Sequence, residues 1–120
     1  MANPFVHIEL MSTDVGKTKN FYGKLFNWQL EDMPMGDMTY TMIQVGAGTG
    51  GGILKNPMPN APSSWVPYVD VDDLAAATAK AKSLGATVLK ENVDVMGRGA
   101  FSIVTDPTGA MLGLWQQKKA

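Results

Sequence analysis

Phe5-Val6-His7-Ile8-Glu9-Leu10 runs into Asp14, and Trp65-Val66-Pro67-Tyr68-Val69 runs into Asp73 in the same way. The two aspartates stand 59 residues apart. Sliding the chain over itself by that offset pairs Val15 with Leu74, Leu25 with Leu84, Leu30 with Leu89, Val45 with Val104 and Ile53 with Leu112. Identities are few, but the apolar positions stay in phase without a gap. Such self-similarity is what a duplicated supersecondary unit leaves in a sequence.

Each copy reads alike. The opening run alternates about His7 and Glu9, as a strand does. Ser12-Thr13-Asp14 supplies N-cap residue types, and Val15, Thr18, Tyr22, Leu25 and Phe26, with Phe21 beside them, recur at helical spacing. Leu74, Ala77, Thr78, Ala81 and Leu84 repeat that face, and Gly85 stands where a left-handed helix C-cap is expected. Three strand-like runs follow each helix: Trp28–Met33, Met38–Val45 and Gly52–Lys55, then Thr87–Val93, Ala100–Thr105 and Met111–Gln116. Asp106-Pro107-Thr108-Gly109 carries a type I turn signature. The glycine-dense stretch 46–52 reads as a hairpin, because a phosphate cradle needs a following helix and a short apolar strand follows instead.

The expected fold class is α+β: two tandem βαβββ units, 1–55 and 65–120, in a single domain. Residues 56–64, with three prolines, form an extended linker between them. One helix covers only one face of a four-stranded sheet. The two sheets are therefore expected to make a curled mixed sheet around a trough, with the helices on the outer face and the trough open to a small ligand.

Composition narrows the function. The chain has 120 residues, 10 Lys+Arg against 11 Asp+Glu, and a formal net charge of −1. There is no basic block beyond Lys118–Lys119, which argues against nucleic acid and anionic membrane as partners. The absence of cysteine excludes disulfides, thiolate metal sites and a thiol nucleophile. No apolar run approaches membrane-spanning length and no leader pattern is present, so a cytoplasmic protein is expected.

The duplicated plan, the segment Phe21-Tyr22-Gly23-Lys24-Leu25-Phe26-Asn27-Trp28 and the closing Asp106-Pro107-Thr108-Gly109-Ala110 resemble the vicinal oxygen chelate superfamily. That superfamily includes glyoxalase I, bleomycin resistance proteins, fosfomycin resistance enzymes, extradiol dioxygenases and methylmalonyl-CoA epimerase. Its catalytic members hold a divalent metal with ligands from the first and fourth strands of each unit. The resemblance places those positions at His7, Leu54, Val66 and Gly113. Three of the four carry no donor. From Met38 to Val69, and again after Asp106, there is no Asp, Glu or His in any register. No metal and no other cofactor is therefore expected.

The remaining candidates for a site are few. His7, the single histidine, could accept or transfer a proton near neutral pH, or could make only a structural hydrogen bond. Glu9 shares its strand face and could pair with it or orient a ligand, or could be a solvated carboxylate. Tyr68 and Trp115 should face the same way as Val66 and Gly113 by strand parity, either to hold a flat ligand or to fill the cavity. Arg98, on a glycine-flanked loop, could clamp an anion or simply be solvated. The reading is a metal-independent small-molecule-binding protein of the glyoxalase/bleomycin-resistance type, its ligand aromatic or amphipathic. His7, Glu9, Leu54, Val66, Tyr68, Arg98, Gly113 and Trp115 are the expected contacts. One alternative is a glyoxalase-like lyase or isomerase using His7 and Glu9 for acid–base chemistry. Another is a dimeric interaction module without a ligand. The family's two-fold habit leads us to expect a homodimer.

Overall fold

The computed structural model describes residues 2–58, 60–95 and 97–118. The linker reading at Pro59, the loop reading at Met96 and the basic pair at Lys119 lie outside the described residues. The fold is α+β, built as βαβββ twice: β1 (Phe5–Ser12), α1 (Val15–Leu25), β2 (Gln29–Met35), β3 (Met38–Gln44) and β4 (Gly51–Lys55), then β5 (Ser64–Asp70), α2 (Leu74–Ser83), β6 (Thr87–Val95), β7 (Gly99–Thr105) and β8 (Met111–Gln117). Contacts group the chain into two compact units, His7–Val66 and a second made of Met1–Val6 with Pro67–Ala120. The opening residues join the second unit because the Asp70 amide donates to the Pro4 carbonyl and the Asn3 side chain donates to the Asp70 carbonyl. No described helix is long and apolar enough to cross a membrane.

Both helices start where the repeat places them. Asp14 and Asp73 have extended backbones, and each side-chain carboxylate accepts from the amide three residues on, Lys17 at 3.1 Å and Ala76 at 3.0 Å. That is an N-cap at each end of the 59-residue offset. Gly85 closes α2 with φ at +101°, the left-handed conformation expected of it. The Asp106 turn is closed by a bond from the Gly109 amide to the Asp106 carbonyl.

In the first unit the strands are ordered β2-β3-β4-β1, with β1 and β4 parallel and the other pairs antiparallel. Leu10, Ile43 and Ile53 form its buried core, with Val15 and Tyr22 from α1 and Trp28, Leu30 and Val45 packed against them. Each such aliphatic side chain stabilises the fold by roughly 1.5–3 kcal/mol. Ser12 and Thr18 tie β1 to α1 through a hydroxyl–hydroxyl bond of 2.7 Å. The apolar face expected of α1 proves too wide. Phe21, Leu25 and Phe26 remain 58%, 55% and 43% exposed. The helix meets the sheet along Val15, Thr18 and Tyr22, and Phe21 and Leu25 lie one stripe to the side.

In the second unit the order is β6-β7-β8-β5, with β5 and β8 parallel. Leu74 and Thr78 are the buried residues of α2. The Thr78 and Ser102 hydroxyls bond at 2.8 Å, and Ser102 also accepts from the Asn92 amide where β6 shifts register. Leu84, expected on the buried face, is 69% exposed because the helix ends at Ser83 and Leu84 is its C-cap.

Candidate functional site

Strand parity sorts each sheet into a helix-facing side and an opposite side. In the first unit the core residues Leu10, Ile43 and Ile53 take the helix side. His7, Glu9 and Met11 on β1, Gly52 and Leu54 on β4, and Tyr40 and Met42 on β3 share the other. Register places Glu9 beside Gly52, Gly52 beside Met42, and Met11 beside Leu54.

Gly52 matters because of what crosses it. A Cβ at residue 52 would collide with the ring of Tyr40. With no side chain there, the Tyr40 ring passes over β4 and delivers its hydroxyl to β1. Tyr40 Oη lies 2.7 Å from His7 Nε2 and donates to Glu9 Oε1 at 3.0 Å. The hydroxyl has one proton and it goes to the carboxylate. The Tyr40 oxygen therefore accepts from His7, which assigns the proton of the neutral imidazole to Nε2. Glu9 is only 9% exposed, and burial pushes the His7 pKa below its ordinary value of 6.5. His7 is then a neutral ring at pH 7, and a phenol connects it to a buried carboxylate.

The second unit presents a different surface. Tyr68 on β5 pairs with Gly113 on β8, and a Cβ at residue 113 would collide with the Tyr68 ring. Phe101 meets Tyr68 edge to face, ring centroids 6.0 Å apart, and Trp115 is the register partner of Phe101. Part of the Trp115 ring occupies the place a side chain at Gly99 would need. The face opposite α2 is thus aromatic, with Tyr68, Phe101 and Trp115 spread over two glycines. Arg98 is exposed in the β6–β7 hairpin, its amide donating to the Val95 carbonyl.

A family model for the Glyoxalase/Bleomycin resistance protein/Dioxygenase superfamily matches residues 5–114. The chain belongs to that superfamily. It is 35% identical over 118 residues to CFP32 of Mycobacterium bovis, a protein provisionally named a glyoxylase, and 25% identical over 126 residues to the anthracycline biosynthesis protein DnrV of Streptomyces peucetius. These matches cover 93% and 91% of the chain but 45% of each relative, so the chain spans under half the length of either. Among solved structures, methylmalonyl-CoA epimerase from Mycobacterium tuberculosis aligns with a TM-score of 0.70 at 13% identity, covering 96% of this chain and 88% of that one. A hypothetical protein from Bacillus halodurans aligns at 0.71 and 15% identity, over 100% and 98% of the two chains. At such identities the likeness is one of fold.

The superfamily's chelate site does not fit these residues. Among the described residues no group of three His, Cys, Asp or Glu side chains comes together. Register also moves one position. Glu9 and Tyr68, related by the 59-residue offset, face Gly52 and Gly113, which are 61 apart. The fourth-strand counterpart of Gly113 is therefore Gly52, where the ungapped offset gave Leu54. The correction keeps parity and still supplies no donor. Val66 is completely buried. Of the four positions the superfamily pattern names, His7 alone carries a donor, and Glu9 lies beside it on the same strand face.

The sequence pointed to His7 with Glu9 and to Tyr68 with Gly113 and Trp115, and within each unit these do share a face. It missed Tyr40, Gly52 and Phe101. The available signal was a glycine in the strand beside Glu9, flanked by a strand that carries a tyrosine.

Proposed function

We propose that this chain is a small-molecule-binding domain of the glyoxalase/bleomycin-resistance type that works without a metal and takes an aromatic or amphipathic organic ligand. The observation that carries the reading is the Tyr40 hydroxyl bonded to both His7 and Glu9 on the sheet face opposite the helix. A buried carboxylate satisfied by a phenol, with a neutral imidazole beside it, offers hydrogen-bond acceptors and donors in an apolar surround. That combination orients a ligand in a site whose affinity comes mostly from apolar contact. The second unit separately carries an aromatic face of its own, with Tyr68, Phe101 and Trp115, a flat surface on which such a ligand can stack. With Glu9 as its one formal charge, the site favours a neutral or cationic ligand over a phosphate. The reading also includes a homodimer.

A second reading has one observation in its favour. A neutral His7 linked through Tyr40 to Glu9 is a set of groups able to take and return a proton at pH 7, as a glyoxalase-like lyase or isomerase requires. His7 would be the base and Tyr40 and Glu9 would position it.

Binding of an anthracycline, a planar cationic fluorophore chosen because DnrV is named for anthracycline biosynthesis, tests the first reading by fluorescence quenching. Loss of a buried aromatic contact costs about 2 kcal/mol, roughly thirtyfold in affinity. Trp115→Ala should therefore remove measurable binding, and Arg98→Ala should matter less. Binding that survives Trp115→Ala and vanishes with Arg98→Ala would point to an anion site instead. Elemental analysis showing about one metal per chain, lost in His7→Ala, would end the metal-free reading. Turnover of a methylglyoxal–thiol hemithioacetal, abolished by His7→Ala, would move the assignment to the lyase.

A further inference from the structure

We propose that the end of the β2–β3 hairpin binds a soft monovalent metal ion, Cu(I) or its analogue Ag(I), through the thioethers of Met33, Met35 and Met38. The segment reads Met33-Pro34-Met35-Gly36-Asp37-Met38. A two-residue turn at Gly36-Asp37, with Gly36 at φ +63°, joins the strands. In the register it sets, Met35 lies directly opposite Met38 and Met33 lies opposite Tyr40. Directly opposed residues of an antiparallel pair point to the same side, as do residues two apart on one strand. All three methionines therefore share the sheet face opposite α1.

The spacing suits one small ion. Cβ atoms of a directly opposed pair stand about 4.5–5.5 Å apart, and those of a diagonal pair such as Met33 and Met38 about 7–8 Å. Three rotatable bonds in each methionine let the sulfurs close on a common point. Core packing does not account for them. From these two strands the core takes Leu30 and Ile43, a pair toward the other end of the hairpin and on the opposite face. Met38 is 42% exposed, and Met33 and Met35 are half-buried.

Charge and donor type choose the ion. From Leu25 to Leu54 the chain has Glu31, Asp32 and Asp37 and no Lys or Arg, so the hairpin attracts a cation. Lys19 pairs with Asp32 from α1, and among the described residues no ion pair involves Glu31 or Asp37. Thioethers are soft, neutral donors and select Cu(I), whereas zinc takes thiolate or imidazole and magnesium or calcium takes oxygen. With no cysteine in the chain, no thiolate competes for the ion. The site uses no group of the His7–Tyr40–Glu9 set and is independent of the function proposed above.

Silver nitrate titrated into the full chain in chloride-free buffer, followed by the carbon shifts of the methionine methyl groups, tests this. The methyls of Met33, Met35 and Met38 should move together and saturate at one ion per chain. Zinc should move none of them. Cu(I), kept reduced by ascorbate without oxygen, should compete with silver for the same methyls. Met35→Leu with Met38→Leu keeps the side-chain volume and the far-UV circular dichroism, and should weaken silver binding about a hundredfold or more. Met111→Leu on β8 and His7→Gln should leave the silver affinity unchanged. Silver that moves none of the three methyls, zinc that moves all of them, or a double variant that holds silver as tightly as the parent overturns the site. So does silver lost with His7→Gln, which would place the ion on the imidazole.

Discussion

The ring of Tyr40 lies against Gly52, in the space that a Cβ at that position would occupy. β4 separates β3 from β1, so the two outer strands are on the order of 10 Å apart. A tyrosine spans that distance only by passing over a residue without a side chain. Gly52→Ala should push the ring aside, break its hydroxyl away from His7 and Glu9, and cost about 1–3 kcal/mol in urea denaturation. In a Tyr40→Ala background most of that cost should disappear, since contacting residues couple. An undiminished cost there would show that something other than the ring fills the space.

Tyr40→Phe separates the hydroxyl from the ring. The ring still covers Gly52, but Glu9, 9% exposed, loses a donor and His7 Nε2 loses its acceptor. Hydrogen bonds to charged groups contribute about 1.5–3 kcal/mol, so a loss of stability in that range is expected from denaturant titration. Imidazole nitrogen shifts should also change, because nothing from Tyr40 then holds the proton on Nε2. A variant as stable as the parent, with unchanged shifts, would remove Tyr40 from the site.

Much of the fold was legible because local chemistry and the repeat agreed. Asp14 and Asp73 are good N-caps at one offset, and Gly85 and the Asp106 turn mark ends by conformations few other residues accept. The limits of the helix faces were not legible. Spacing alone puts Leu25 and Phe26 on the apolar face, with Phe21 beside it, yet a single sheet covers only the stripe through Val15 and Tyr22. The placement of His7 and Glu9 on one strand face followed from parity. Tyr40 did not, since it lies 33 residues from His7 and its reach depends on the register that sets Gly52 between them. An ungapped repeat also hid the two-residue slip that makes Gly52, and not Leu54, the match of Gly113.

Burial holds the His7 pKa below 6.5, which fixes a sign. Above that value both folded and unfolded chains carry neutral His7 and it contributes no pH dependence. As pH falls through 6.5 the unfolded chain takes up the proton first, so stability declines until the folded-state pKa is reached and then levels off. His7→Gln should flatten this part of the profile. A titration of the single imidazole by NMR giving a value at or above 6.5 would contradict the assignment.

Asp106 gives the opposite sign. The Thr108 hydroxyl, then the Ala110 and Thr108 amides, hold its carboxyl below 3.8. Its contribution is present above that value and is lost as pH falls through the lowered folded-state pKa. Asp106→Asn should therefore shallow the acid limb of the stability profile and leave the neutral region's slope unchanged. An acid limb identical to that of the parent would show the turn does not depend on the ionised carboxylate.

Gly113 tests whether the fourth-strand position is merely without a donor or is also filled. The Tyr68 ring, itself 4% exposed, occupies the place where a side chain at residue 113 would begin, and Phe101 braces it edge to face. A carboxylate introduced there meets the ring before it meets any ligand. Gly113→Glu should accordingly destabilise the chain by more than about 3 kcal/mol, combining overpacking with a buried unpaired charge, and should bind no metal by elemental analysis. Gly113→Ala isolates the steric part, at about 1–3 kcal/mol. Tyr68→Ala leaves a cavity and costs several kcal/mol alone, roughly 3–5. Added to Gly113→Ala, however, it should cost less than the two separate losses combined, by at least about 1 kcal/mol. Strict additivity in that cycle would mean that the ring and residue 113 do not compete for the same space.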